Sequence, residues 1–216
     1  MLHIEVYSDV VCPWCYVGKR RLEQALSQVG GDITTTWRPF QLNPTMPKDG
    51  MDRTAYLEAK FGSLDSFRQL EEHVQVADAS ERITFAFEKI ARTPNTFAAH
   101  RLIWFGAQES CQNAVVDSLF QGYFEEGADI GSIPTLVGLA TRAGLNQACV
   151  ERMFQSDEGT AEVKTEEAAG HKLGIRGVPY FIVNGTYAIS GAQPVETFVS
   201  TLKRVAADGA GRKAGV

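Results

Sequence analysis

The sequence has little that would tie it to a cross-linked scaffold, a membrane or a nucleic acid. Only four of its 216 residues are cysteine, Cys12, Cys15, Cys111 and Cys149, too few and too uneven for the disulfide framework of a secreted domain. No apolar run approaches the length of a membrane span, and Met1-Leu2-His3-Ile4-Glu5-Val6 lacks the charged and then apolar segments of a secretory signal. These absences lead us to expect a cytoplasmic protein with no membrane partner. Basic residues are the minority, 21 Lys and Arg against 26 Asp and Glu, and only Lys19-Arg20-Arg21 forms a short basic run. With a net charge of -5, the chain is not expected to bind nucleic acid. No internal repeat is visible.

What is present is an ordinary globular composition. Apolar residues make up 44% and charged residues 22%, enough to bury a core without metal or cross-links, as one large domain or one domain carrying an insertion. His3 to Tyr7 alternates as a strand and breaks at Ser8-Asp9. From Pro13, Leu22, Ala25, Leu26 and Val29 recur at helical spacing until Gly30-Gly31. Ile33 to Trp37 reads as a second strand, after which prolines and glycines interrupt the pattern. Helices are then expected behind the candidate N-cap Ser63 (with Phe67, Leu70, Val74 and Ala77 on one face), from near Thr93-Pro94-Asn95, over 115–124, over 133–143, from near Asn146, and over 159–172. Strands return at Tyr180 to Val183 and, past the hairpin signal Asn184-Gly185, at Thr186 to Ser190. Pro194 suits the first turn of a last helix over 195–207, and 208–216 is expected to be a loose tail.

The chemistry concentrates at Cys12 and Cys15, where a strand turns into a helix. Disulfide exchange needs a thiolate nucleophile and a second thiol near enough to resolve the mixed disulfide. At the N-cap, Cys12 would have its thiolate stabilised and its pKa lowered by free amides and the helix dipole. Cys15, one turn in, would be the less exposed resolving thiol, and Pro13 fits the first helical position. The other reading of a close Cys pair is half of a zinc site, which needs two more ligands. Cys111, Cys149, His3, His73, His100 and His171 form no second pair, so no metal is expected; Cys111 and Cys149 read as core or surface residues within helices. A second signal is Gly177-Val178-Pro179-Tyr180, just before a strand. Pro179 there is either a plain edge stop or, given the N-terminal pair, the cis-proline of a loop that faces the cysteines and leaves the Val178 backbone to bind an extended substrate.

These motifs resemble the DsbA family of the thioredoxin superfamily, in particular its FrnE-like branch. The matching stretches are Ser8-Asp9-Val10-Val11-Cys12-Pro13-Trp14-Cys15-Tyr16-Val17-Gly18, Thr93-Pro94-Asn95-Thr96 with His100-Arg101-Leu102, and Gly177-Val178-Pro179 with Ser190-Gly191-Ala192-Gln193-Pro194. The resemblance implies an α/β thioredoxin fold with an all-helical insertion. We therefore expect 1–44 and 166–207 to form a discontinuous thioredoxin-like domain and 45–165 the insertion. It further implies a redox-active disulfide at Cys12 and Cys15, Pro179 in cis, and Pro13, Trp14, Val178 and Pro179 at the substrate site. The expected activity is thiol-disulfide exchange, as a disulfide oxidoreductase or isomerase. Partners would be protein or small-molecule thiols and disulfides, with no tightly bound cofactor, glutathione as a thiol co-substrate, and a monomeric or homodimeric state.

The same architecture serves kappa-class glutathione transferases and 2-hydroxychromene-2-carboxylate isomerases, which usually carry Ser where this chain has Cys12. A glutathione-dependent isomerase or transferase acting on a small aromatic substrate is therefore the alternative, and chaperone-like binding of unfolded chains a second. Against periplasmic DsbA, Pro13-Trp14 replaces Pro-His and so lacks one positive group that could stabilise the Cys12 thiolate, which predicts a weaker oxidant; Val6 stands where that family carries a buried acid. Asp9 is open to two roles, proton transfer or a solvated turn or cap. His100 reads as a structural histidine, Trp14 and Tyr16 as a substrate rim or a cover for the helix start, and Phe40, Met46 and Met51 as core or the lining of a groove.

Overall fold

The structure, a computed structural model, describes residues 1–62, 74 and 83–211. Strand β1 (Leu2–Ser8) runs into the cysteine turn and helix α1 (Pro13–Val29), which Gly30 ends at φ 64° with its N–H on the Leu26 carbonyl. Strand β2 (Ile33–Pro39) lies parallel to β1, with Leu2 opposite Ile33 and Ser8 opposite Pro39. The chain then passes through the two-residue strand β3 (Met51–Asp52), helix α2 (Arg53–Phe61), a 3-10 turn (Phe87–Lys89) and strand β4 (Arg92–Thr93), antiparallel to β3. Helices α3 (Phe97–Gln108), α4 (Gln112–Phe124), α5 (Ile133–Arg142), α6 (Gln147–Gln155) and α7 (Thr160–Lys172) follow. Strands β5 (Tyr180–Val183) and β6 (Tyr187–Ser190) and helix α8 (Val195–Gly211) complete the order.

The main sheet has the order β2-β1-β5-β6, with β5 antiparallel to β1 and β6 antiparallel to β5. Side chains alternate between its faces. Val6 and its partner Phe181 point to the α1 and α8 side, where Phe181 meets Phe198 edge-on at 4.8 Å. Tyr7 points the other way, onto Gly170 of α7, and Arg38 beside it pairs with Glu166 of α7 at 2.6 Å. The fold is an α/β thioredoxin fold with a helical insertion.

The structure departs from the sequence reading in several places. The last helix continues to Gly211, past the expected start of a loose tail at 208, with Val195, Phe198, Leu202 and Val205 packed on the core over its first three turns. The β3–β4 pair was not expected, being too short to show a period. The helix behind Ser63 lies outside the described residues except for Val74, which is helical and buried.

The basic run Lys19-Arg20-Arg21 is not a solvated patch. Lys19 is 1% exposed, bonded to Glu23 and to Asp117 of α4 at 2.8 Å, while Arg20 reaches Asp117 at 3.2 Å and the Tyr16 hydroxyl at 3.1 Å. Tyr16 stacks on Phe120 at 5.0 Å and donates to Glu125. Its hydroxyl pKa is pushed up by burial and by that bond. One side of α1 is thus bound to the insertion by charge and ring stacking together.

Candidate active site

Register brings the two sequence signals together. Because β5 runs antiparallel to β1 with Tyr180 opposite Tyr7, the residues just before β5 lie beside those just after β1. Cys12 is the N-cap of α1 in extended conformation, its N–H on the Asp9 carbonyl at 3.0 Å. Its carbonyl accepts the Cys15 and Tyr16 amides at 3.0 and 3.4 Å, and Pro13 occupies the first helical position, where no N–H is needed. The Val178–Pro179 peptide bond is cis, and the Cys12 thiol points at the Val178 carbonyl, 3.6 Å away.

The two thiols, both free here, differ in surroundings. Cys12 keeps 5% of its surface exposed and Cys15 none. Burial pushes the Cys15 thiol well above the usual range, and the hydrogen bond and charge of Cys12 push it further, against smaller opposing contributions from Ser8 and the Asp9 backbone. Trp14 is 36% exposed and forms the outer rim.

Supporting contacts account for the neighbouring motifs. Gly18 lies under the proline: a Cβ there would meet Pro179 Cγ at 3.0 Å and Phe181 Cζ at 3.1 Å. The Gly191 amide donates to the Pro179 carbonyl at 2.9 Å, and Arg21 donates to the Ala192 carbonyl at 2.7 Å, so the stretch after β6 holds the proline loop against α1. Asn95 Oδ1, just ahead of the N-cap Thr96, accepts the Phe97 amide at the start of α3, and its Nδ2 donates to the Met46 carbonyl.

Asp9 is not a solvated turn residue. It is fully buried, its Oδ2 accepting the Leu42 amide at 2.7 Å and its Oδ1 lying 3.3 Å from Nε2 of His100, itself 2% exposed. The contact is ionic whenever the imidazole is protonated, and it lacks hydrogen-bond geometry. Three chain segments, the cysteine turn, the Leu42 loop and α3, meet at this carboxylate. The sequence reading named both residues but not their meeting.

Beside Cys12 opens a cavity of about 240 Å³ whose walls include Trp14, Leu42, Leu57, Phe61, Phe87 and Phe124, with Arg53, Tyr56, Lys60 and Tyr123 as polar members. Phe40, Met46 and Met51 are not among its lining residues. Phe40 instead packs with Tyr7 and Ile175, and Met46 is buried, because the chain turns inward after β2. Helix α2 supplies the wall, which no motif announced. Burial raises the Tyr123 pKa to about 12, opposed by the nearby Arg53 charge. Cys111 and Cys149 lie on the insertion, away from the pair, with Cys149 accepting from Arg152 at 3.1 Å. Among the described residues no group of three or more His, Cys, Asp or Glu side chains is placed to hold a metal ion, and no helix is long and apolar enough to cross a membrane.

Comparison with known proteins gives one family and several related structures. The profile of the DsbA-like thioredoxin domain matches residues 3–203. A probable DsbA oxidoreductase, SCO1869 from Streptomyces coelicolor, is 31% identical, with a TM-score of 0.87 over 94% of this chain and 89% of that one. A 2-hydroxychromene-2-carboxylate isomerase shares the fold at 16% identity and a TM-score of 0.73, covering 96% of this chain and 98% of that one. So does the cytosolic disulfide reductase DsbM from Pseudomonas aeruginosa, solved with GSH, at 15% identity and 0.67, covering 94% and 98%.

Proposed function

The chain belongs to the DsbA-like thioredoxin family, and on that premise we propose that it is a thiol-disulfide oxidoreductase working through Cys12 and Cys15. One observation carries the reading: the thiol of the N-cap residue Cys12, with a trace of solvent access, stands one turn from a buried thiol of raised pKa and faces the Val178 carbonyl of the cis-proline loop. Nucleophile, resolving thiol and a backbone edge for the substrate are all within one turn of helix and one loop.

In the reducing direction the Cys12 thiolate attacks a substrate disulfide, forming a mixed disulfide and expelling one substrate thiolate. Cys15 then loses its proton and attacks Cys12 sulfur, forming the Cys12–Cys15 disulfide and releasing the second substrate thiolate. The oxidising direction is the reverse. Glutathione serves as thiol co-substrate in this proposal, with support from the GSH in the DsbM structure. Partners are protein or small-molecule thiols and disulfides, and the site of action is the cytoplasm, as for DsbM.

The alternative, a glutathione-dependent isomerase on a small aromatic substrate, draws on the aromatic cavity beside Cys12 and the shared fold of the isomerase. Insulin reduction and dithiol oxidation by wild type, Cys12→Ser and Cys15→Ser separate the two. Exchange should vanish in Cys12→Ser, and Cys15→Ser should accumulate the mixed disulfide. Full isomerase activity in Cys12→Ser, with no exchange by wild type, would overturn the redox reading.

A further inference from the structure

The cavity beside Cys12 has a chemical bias that disulfide exchange with proteins does not require. Its walls are apolar and largely aromatic, through Leu57, Phe61, Phe87 and Phe124, and it opens directly on the nucleophile. Its charged lining, among the described residues, consists of Arg53 and Lys60, with no Asp or Glu. Lys60 matters most. Its Nζ donates to the Tyr56 hydroxyl at 2.7 Å and to Asn43 Oδ1 at 3.1 Å, both neutral, so neither offsets its charge. A hydroxyl that accepts a hydrogen bond keeps its own proton to donate, so Lys60 and Tyr56 together offer an anion a charge and donors at the rim.

We propose that this cavity is a subsite for small aromatic disulfides and thiols bearing a carboxylate, the ring lying against the apolar walls and the carboxylate at Lys60 and Tyr56. The inference names a substrate class for the redox site and rests on that reading. In the step it implies, the Cys12 thiolate attacks one sulfur of the aromatic disulfide and expels one aryl thiolate. Cys15 then resolves the enzyme-aryl mixed disulfide, releasing the second aryl thiolate. The enzyme dithiol is oxidised by two electrons, the substrate is reduced by two, and two protons pass to solvent.

The probes are the symmetrical disulfides of para-mercaptobenzoate and of para-mercaptobenzamide, which differ in charge and hardly in shape. In single turnover with the reduced full-length protein we expect the second-order rate constant to favour the benzoate by about fivefold at low salt, the scale of one exposed ion pair, and the preference to shrink as salt rises. Lys60→Gln, on an exposed helix position, should bring the ratio near one, and Lys60→Arg should keep it. A ratio near one in wild type, or one that Lys60→Gln leaves intact, overturns the subsite while insulin reduction continues. Failure of wild type to react with either probe or with insulin overturns the redox reading and the subsite with it.

Discussion

Cys12 and Cys15 sit three positions apart on one turn of helix and end in different surroundings, because the first is the N-cap residue and keeps 5% of its surface exposed while the second, inside the first turn, keeps none. The buried thiol is held protonated at neutral pH by desolvation first, so release of substrate from the Cys12 mixed disulfide should be limited by Cys15 deprotonation. Stopped-flow measurement of that step should show a rate that climbs with pH across the neutral to alkaline range; a flat profile would remove Cys15 as the resolving group. Tyr123 gives a second pH dependence. Its pKa is raised from 10.0 to about 12, chiefly by burial, so the folded state favours the neutral phenol. That contribution is complete below pH 10 and is lost as pH rises towards 12, amounting to about 2 to 3 kcal/mol. Denaturant unfolding at pH 9 and pH 12 should show Tyr123→Phe losing less stability over that interval than wild type.

Helix α1 meets three different surfaces. Its buried apolar side packs against α8, its charged side enters the insertion through Lys19 and Asp117, and Gly18 lets it approach Phe181 of β5 and the proline loop. A methyl at position 18 would sit at 3.0 to 3.1 Å from Pro179 and Phe181, tighter than packing allows. Gly18→Ala should therefore move α1 or the loop by a few tenths of an ångström, with an overpacking cost of about 1 to 3 kcal/mol. The insulin-reduction rate should fall together with stability in denaturant. Unchanged rate and stability would show that the loop yields freely and does not need α1 where it lies.

Across the molecule, the thioredoxin sheet and the insertion share one hydrophobic core, and the cavity beside Cys12 is built from both. Asp9 and His100 are its polar counterpart, joining the cysteine turn to α3 at a buried carboxylate that also holds Leu42, a cavity wall. Groups that act as one unit are non-additive when removed. A double-mutant cycle on Asp9→Asn and His100→Gln, followed by denaturant unfolding, should give a coupling of about 1 to 3 kcal/mol, whereas additivity within roughly 0.3 kcal/mol would show that the two merely lie close.

Local pattern was enough to identify β1, α1, β2, the β5–β6 hairpin and most helices, because alternation, helical spacing, Pro13 and the turn glycines are properties of short windows. It also singled out Cys12, Cys15 and Pro179 as candidates, from residue type at a helix start and ahead of a strand. Pairing β5 antiparallel to β1 was a tertiary matter, and that register sets the Cys12 thiol 3.6 Å from Val178 across 166 positions of chain. The burial of Asp9 against His100 and of Lys19 against Asp117, and the cavity wall from α2, were likewise beyond any window. A charged side chain reads the same in sequence whether water or an opposite charge surrounds it, and only the packing of distant segments decides which.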